Sequence, residues 1–210
     1  MRLKPLYQLP QWLQHLYPGV TWRRDDAVYL TFDDGPIPEI TPHILEVLRS
    51  KGVHATFFVV GDNVRKYPEL IDRIVADGHR VGNHTFHHLP GLKTSLAEYM
   101  RDVSACDELL RRHIGNEVHP LFRPPYGRMR PSQRRELKNT GYEIVLWDVL
   151  THDYNNRYSA TQLVDVVERY TRQGSIIVFH DSLKSGERML QALPEAIDWW
   201  LANGYQLKTL

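Results

Sequence analysis

The 210-residue sequence predicts an α/β fold, a (β/α) barrel of parallel strands with helices outside, on two observations. Short apolar, β-rich runs alternate about seven times with segments whose apolar residues recur at helical spacing, and connections between them are short. Polar clusters follow nearly every strand at its C-terminal end. That placement suits a ring of strands converging on one mouth better than an open crevice.

The first strand enters at residues 27–30 and runs through Thr31-Phe32-Asp33-Asp34 to a stop at Gly35-Pro36, so both acids stand at its C-terminal edge. Neighbours on an extended chain point to opposite sides, so two separate roles are expected: one acid ligates a cation and the other acts as a base beside it. Thr41-Pro42 supplies an N-cap with Pro at the first helical position, and Ile44, Leu45, Val47 and Leu48 give an apolar face up to Gly52. Residues 55–60 form a buried strand ended by Gly61. Residues 68–77 carry Leu70, Ile71, Ile74 and Val75 on one helical face, and 80–83 form a short strand that leads into His84-Thr85-Phe86-His87-His88.

Ser95 with Glu98 makes a capping box for a long amphipathic helix ending near Gly115. A short strand from Leu121 is cut off by Pro124 and Pro125. Then come a helix over 131–139, a strand over 142–146, a helix from the Ser159/Gln162 capping box to Arg172, a strand over 175–179, a helix over 187–203 and a last short strand over 205–208.

Composition narrows the function classes. With 42% hydrophobic and 24% charged residues the chain reads as one soluble globular domain, and its net charge of +1 offers no field for nucleic acid or anionic lipid. Cys106 stands alone, so no internal disulfide forms. No apolar run reaches the roughly 18 residues of a spanning helix. The first 18 residues, broken by Pro5, Pro10 and Pro18, do not read as a signal peptide, so a cytoplasmic location is expected, with its membrane face as the alternative. Leu6, Tyr7, Leu9, Trp12, Leu13, Leu16 and Tyr17 are expected to pack on the domain.

Five clusters follow strands. The Asp pair is the first. On a helical turn, His84 and His88 lie on one face and reach a common metal ion; His87 competes, and spacing does not choose between them. Two imidazoles and one carboxylate make a facial set with positions open to water and substrate. Arg123, stiffened by the prolines after it, suits a paired hydrogen bond to a carboxylate. The segment from Trp147 to Tyr154 offers acids and aromatic rings, and His180 ends an apolar strand where a general acid would stand.

Together these clusters resemble the polysaccharide deacetylase family, the NodB-homology domains of carbohydrate esterase family 4. The resemblance implies a distorted barrel domain over 27–210, with 1–26 as an N-terminal extension packed on it. By the same resemblance Asp33 is the catalytic base, Asp34, His84 and His88 hold the metal, and Arg123 tethers Asp33. The Tyr126 backbone N–H helps hold the oxyanion. Asp153 supports His180, the implied general acid, while Trp147, Tyr154 and Val178 line the substrate pocket. Leu150 stands where the family often has an acid, Tyr154 replaces a common Trp, and Val178 replaces Leu as a smaller wall for the acetyl methyl. One divalent ion is expected, Zn(II) by ligand type, with Co(II), Ni(II) or Fe(II) able to use the same set. The implied partner is a glycan and the implied reaction is removal of N-acetyl or O-acetyl groups from an amino-sugar polymer such as peptidoglycan or chitin-type oligomers. The alternative is hydrolysis of another amide (formyl, cyclic imide or ureide) by the same machinery.

Overall fold

Every paired strand of the sheet runs in the same direction. The computed structural model describes residues 7–8, 10–14, 17–24, 26–115 and 120–210. In chain order its elements are α1 (Gln11–Gln14), β1 (Val20–Thr21), β2 (Tyr29–Asp33), α2 (Thr41–Lys51), β3 (Thr56–Val59), α3 (Gly61–Lys66), α4 (Pro68–Ala76), β4 (Arg80–Asn83), α5 (Leu96–Ile114), β5 (Leu121–Phe122), α6 (Pro131–Asn139), β6 (Glu143–Val145), β7 (Val149–Leu150), α7 (Ala160–Tyr170), β8 (Ile176–His180) and α8 (Gly186–Ala202). The strand order is β1-β6-β5-β4-β3-β2-β8-β7.

That order forces curvature. β6 and β7 lie six places apart in the sheet, which would be about 29 Å if it were flat. Only residues 146–148 join them, and such a link spans at most about 14 Å. The sheet therefore rolls until its two edges approach. Among the described residues β1 and β7 do not pair, so the barrel keeps a seam. Residues just past β1 bridge part of it: Arg23 Nε lies 3.8 Å from buried Asp148 Oδ2 and Arg24 N–H donates to the Gly174 carbonyl at 2.9 Å, while on the β7 side Leu150 N–H donates to the Tyr7 carbonyl at 2.9 Å.

Strand alternation sorts the apolar residues into two cores. Leu30, Phe32, Phe57, Val59, Ile177 and Phe179 face outward and pack under the helices. Tyr29, Phe58, Leu121, Val145 and Ile176 face inward and fill the barrel. The Phe32 and Phe57 rings stack at 5.1 Å, and burial of each such ring contributes about 1.5–3 kcal/mol.

Several elements differ from expectation. The sheet has eight strands, because β1 and β7 are two-residue strands below the reach of any periodicity. Residues 205–208 form no strand; Val28 and Leu207 make a single bridge. Gly61 does not merely end β3: it opens α3, and a Cβ there would stand 2.6 Å from the Phe86 ring. Thr41 is not the N-cap of α2, since Ile40 occupies that position and the Thr41 hydroxyl is committed to Ile37 N–H and Asp181, both at 2.6 Å. At the N-terminus the Tyr7 ring stacks on Tyr170 at 5.2 Å while Trp12 stays exposed. Leu6, Leu9, Leu16 and the side chain of Leu13 lie outside the described residues. No described helix is long and apolar enough to cross a membrane.

Candidate active site

Parallel strands bring their C-terminal ends to one rim, and β2 and β8 do so in register, with Asp33 opposite His180. Both side chains share the inner face, because Tyr29 and Ile176, four residues earlier on each strand, belong to the inner core. Asp33 is buried, and its Oδ1 accepts from Arg123 Nη1 at 2.6 Å. Arg123 lies wholly inside the barrel, its guanidinium 4.0 Å from the Phe58 ring centre. It also donates to Thr31 Oγ1 at 2.7 Å and to the carbonyls of Val145 and Leu146 at 3.3 and 3.1 Å. Burial opposes ionisation of Asp33, but the Arg123 charge, with His84 and His180 adding to it, holds the carboxyl below the usual carboxylate range.

Across from this pair stands Asp153. Its Oδ1 lies 2.7 Å from His180 Nδ1, and its Oδ2 accepts the His180 backbone N–H at 2.6 Å. Burial disfavours a charged imidazole, but Asp153, then Asp34 and Asp33, outweigh it and raise His180 from 6.5 to about 9. Nδ1 is thereby committed as a donor, which leaves Nε2 to exchange a proton.

Asp34 turns away from the strand at φ 83°. Its Oδ1 sits 3.3 Å from His88 Nε2 and 3.6 Å from His84 Nε2, and one ligand atom from each of the three residues lies within 4.8 Å of the others. His84 Nδ1 is 2.7 Å from the Arg123 carbonyl, so Nδ1 carries the proton and Nε2 the lone pair. Burial pushes the His84 pKa down to about 4 despite nearby Asp33. A neutral, anchored imidazole, a second Nε2 and a carboxylate oxygen between them fit a divalent cation with coordination positions left open.

The histidines do not meet on a helical turn, as their spacing suggests. Residues 84–88 form a loop in which Thr85 and His88 take φ 66° and 54°. Asn83 Oδ1 accepts the Thr85 N–H at 2.8 Å, and Asp102 accepts those of Phe86 and His87 at 2.8 and 3.0 Å. His87 Nδ1 bonds Asp102 at 2.6 Å, which takes it out of the cluster.

The remaining sequence candidates ring this centre. Tyr126 has left-handed φ (60°), and its exposed ring meets His88 edge-on at 4.7 Å. Trp147 is half-buried against Gly127, whose φ of 64° and 2.5 Å virtual Cβ approach to that ring leave room only for glycine. Tyr154 packs edge-on to His180 at 5.1 Å and lies 2.8 Å from His152 Nδ1 through its hydroxyl. Val178 is buried two residues before His180 on the same face.

Three contributors escaped the sequence reading. Thr31 shares the inner face with Asp33, so strand alternation alone would have found it. Asp102 carried no local signal, whereas Asp181 directly follows His180 at the strand end and was given no role. Asp181 is fully buried beside Gly35, its carboxyl pushed up to about 8 by burial, with Asp34 adding and the Thr41 hydrogen bond opposing.

Fold and site define a class, an α/β barrel enzyme with its chemistry at the C-terminal rim. The particular family follows from comparison. Residues 22–145 match the family model described as polysaccharide deacetylase, and the chain belongs to that family. It is 34% identical to the peptidoglycan-N-acetylmuramic acid deacetylase PdaC of Bacillus subtilis over 88% of its own length and 38% of that protein's. It is 38% identical to a peptidoglycan-N-acetylglucosamine deacetylase of Bacillus cereus over 81% of its length and 60% of the relative's. The chain thus spans less than two thirds of both. The crystal structure of the Bc1960 peptidoglycan N-acetylglucosamine deacetylase superposes with a TM-score of 0.88 at 32% identity, over 95% of this chain and 94% of that one.

Proposed function

We propose that this chain is a metal-dependent hydrolase that removes N-acetyl groups from acetylated amino-sugar glycans. The observation that carries the reading is one convergence: a two-histidine, one-carboxylate cluster beside an arginine-held Asp33, with an Asp-supported His180 opposite. The names of the peptidoglycan deacetylases it resembles support the substrate class.

Asp34, His84 and His88 would hold the cation, with Zn(II) preferred by ligand type. When bound, such an ion polarises the amide carbonyl and lowers the pKa of water towards ~7. Asp33, kept ionised by Arg123, takes a proton from the attacking water. The Tyr126 N–H donates to the oxygen that gains charge. His180 in its protonated form gives a proton to the departing nitrogen, and Asp153 stabilises the imidazolium before transfer. The products are acetate and a free amino sugar. Trp147 and Tyr154 supply ring faces against which a sugar packs, and Val178 sets the floor beneath His180.

Acetate release from N-acetylglucosamine oligomers and peptidoglycan fragments tests the reading, after chelation and after Zn(II) is restored. Release is expected only with metal. Turnover of formyl or cyclic-imide amides without acetate release would assign the machinery to another amide.

A further inference from the structure

We propose that Asp102, on α5 and outside all five sequence clusters, is a positioning residue that sets the shape of the loop presenting His84 and His88. This rests on the metal-dependent reading above and names a residue that makes the cluster possible. Asp102 is buried, and its acceptors are spent on the loop: Oδ2 on the backbone N–H groups of Phe86 (2.8 Å) and His87 (3.0 Å), and Oδ1 on His87 Nδ1 (2.6 Å). The next residue of the helix holds the loop's other end, since the Val103 carbonyl accepts from Asn83 Nδ2 at 2.9 Å while Asn83 Oδ1 accepts from Thr85. Two consecutive residues of α5 therefore fasten the chain on both sides of His84.

The loop needs such fastening. Thr85 and His88 both have left-handed φ, a conformation a β-branched residue such as Thr85 rarely adopts without outside hydrogen bonds to hold it. With those bonds in place His88 Nε2 stands 3.3 Å from Asp34. The helix itself does not need Asp102, because Tyr99, Val103, Cys106 and Leu110 already bury its apolar face. A buried carboxylate is costly to desolvate unless its acceptors are filled, and here the loop's donors fill them. His87 follows from the same geometry. It faces solvent and serves as a tie to Asp102, which answers why the middle histidine of the cluster is not a ligand.

The test is Zn(II) binding by the metal-free full chain, measured by competition with a chromogenic chelator in wild type, Asp102→Ala and Asp102→Asn. Asp102→Ala is expected to weaken Zn(II) binding on the order of 10-fold, the low end of the loss seen when a hydrogen-bond partner of a ligand itself is removed, because Asp102 holds the loop and not a ligand side chain. Asp102→Asn retains an oxygen for the two N–H groups, so it should recover most of that loss. A merely structural role would lower the melting temperature of the metal-free protein and leave Zn(II) affinity of the folded fraction unchanged, and that result would overturn the proposal. Zn(II) binding by wild type checks the underlying reading separately: without it both fall. If Asp102→Ala does not fold, amide exchange in wild type decides. Slow exchange at Phe86 and His87 supports the proposal, and exchange as fast as in an open loop refutes it.

Discussion

Asp33 and His180 are register partners on neighbouring strands, whereas Asp34, His84 and His88 reach their cluster from loop segments that pass through left-handed φ at Asp34, Thr85 and His88. The first pair takes its spacing from the sheet ladder, which many backbone bonds share. The second group keeps ladder bonds only at its first residues, Asp34 N–H to the Phe58 carbonyl (3.2 Å) and His84 N–H to the Val59 carbonyl (3.0 Å); beyond them the loop is set by the Gly61 and Asp62 N–H groups and by side-chain bonds from Asn83 and Asp102. Both sit on one rim, yet they should fail differently: a change on the sheet side removes a chemical role from an intact frame, and a change on the loop side loosens the frame.

The largest effect expected is on the sheet side. Asp33→Asn removes the proposed base without touching the proposed ligand cluster, so kcat should fall by about 10²–10⁴ while Zn(II) binding stays near wild type. His84→Ala, on the loop side, should lose both together. Full turnover in Asp33→Asn would show that the base lies elsewhere and dissolve the distinction.

Next in size is the support beneath the base. Arg123→Met leaves buried Asp33 without its hydrogen-bonded cation, and removing one member of a buried pair costs about 3–5 kcal/mol. Urea unfolding measures it. The double variant Asp33→Asn, Arg123→Met should recover part of that loss, because no uncompensated charge then remains inside the barrel.

The acid side gives a pH signature. His180 titrates near pH 9 in the metal-free chain, raised from 6.5 chiefly by Asp153 against the effect of burial. A folded-state pKa above the unfolded one means the Asp153 pair adds stability below pH 6.5 and loses it as pH rises through 9. In Asp153→Asn the imidazole resonance should shift at a lower pH, and the stability lost between 6.5 and 9 should shrink. An unmoved titration would show that the neighbouring Asp33 and Asp34 govern His180 instead.

How much of this was legible beforehand follows the same division. The strand-end positions of Asp33, Arg123 and His180 could be read because apolar runs and breakers mark strand ends, and the order of clusters carried a family resemblance. Conformation of the 84–88 loop could not, since nothing local tells that Asp102, fourteen residues beyond His88, will hold it; spacing left His87 and His88 both open, only the family resemblance singled out His88, and a loop with left-handed residues, not a helical turn, brings His84 and His88 beside Asp34. Thr41 shows the converse: its residue type suited an N-cap, but Asp181, 140 positions away, claimed the hydroxyl. Two-residue strands such as β7 exist only because β8 lies beside them.

The smallest effect separates a helix from what it holds. Ser95 Oγ accepts the Glu98 N–H at 3.3 Å at the exposed start of α5, the helix that carries Asp102. Ser95→Ala should cost about 0.5–1 kcal/mol of stability, the low end of the range for a lost N-cap. Asp102 lies nearly two turns further in, beyond the fraying end and beside buried Tyr99 and Val103, so Zn(II) affinity should not change. A melt and a chelator competition on one preparation check both halves. If Ser95→Ala weakened the metal as much as Asp102→Ala, general stiffness of α5 and not the Asp102 carboxylate would govern the loop, and the contrast between a ladder-built and a side-chain-built half would give way to a contrast in local stability.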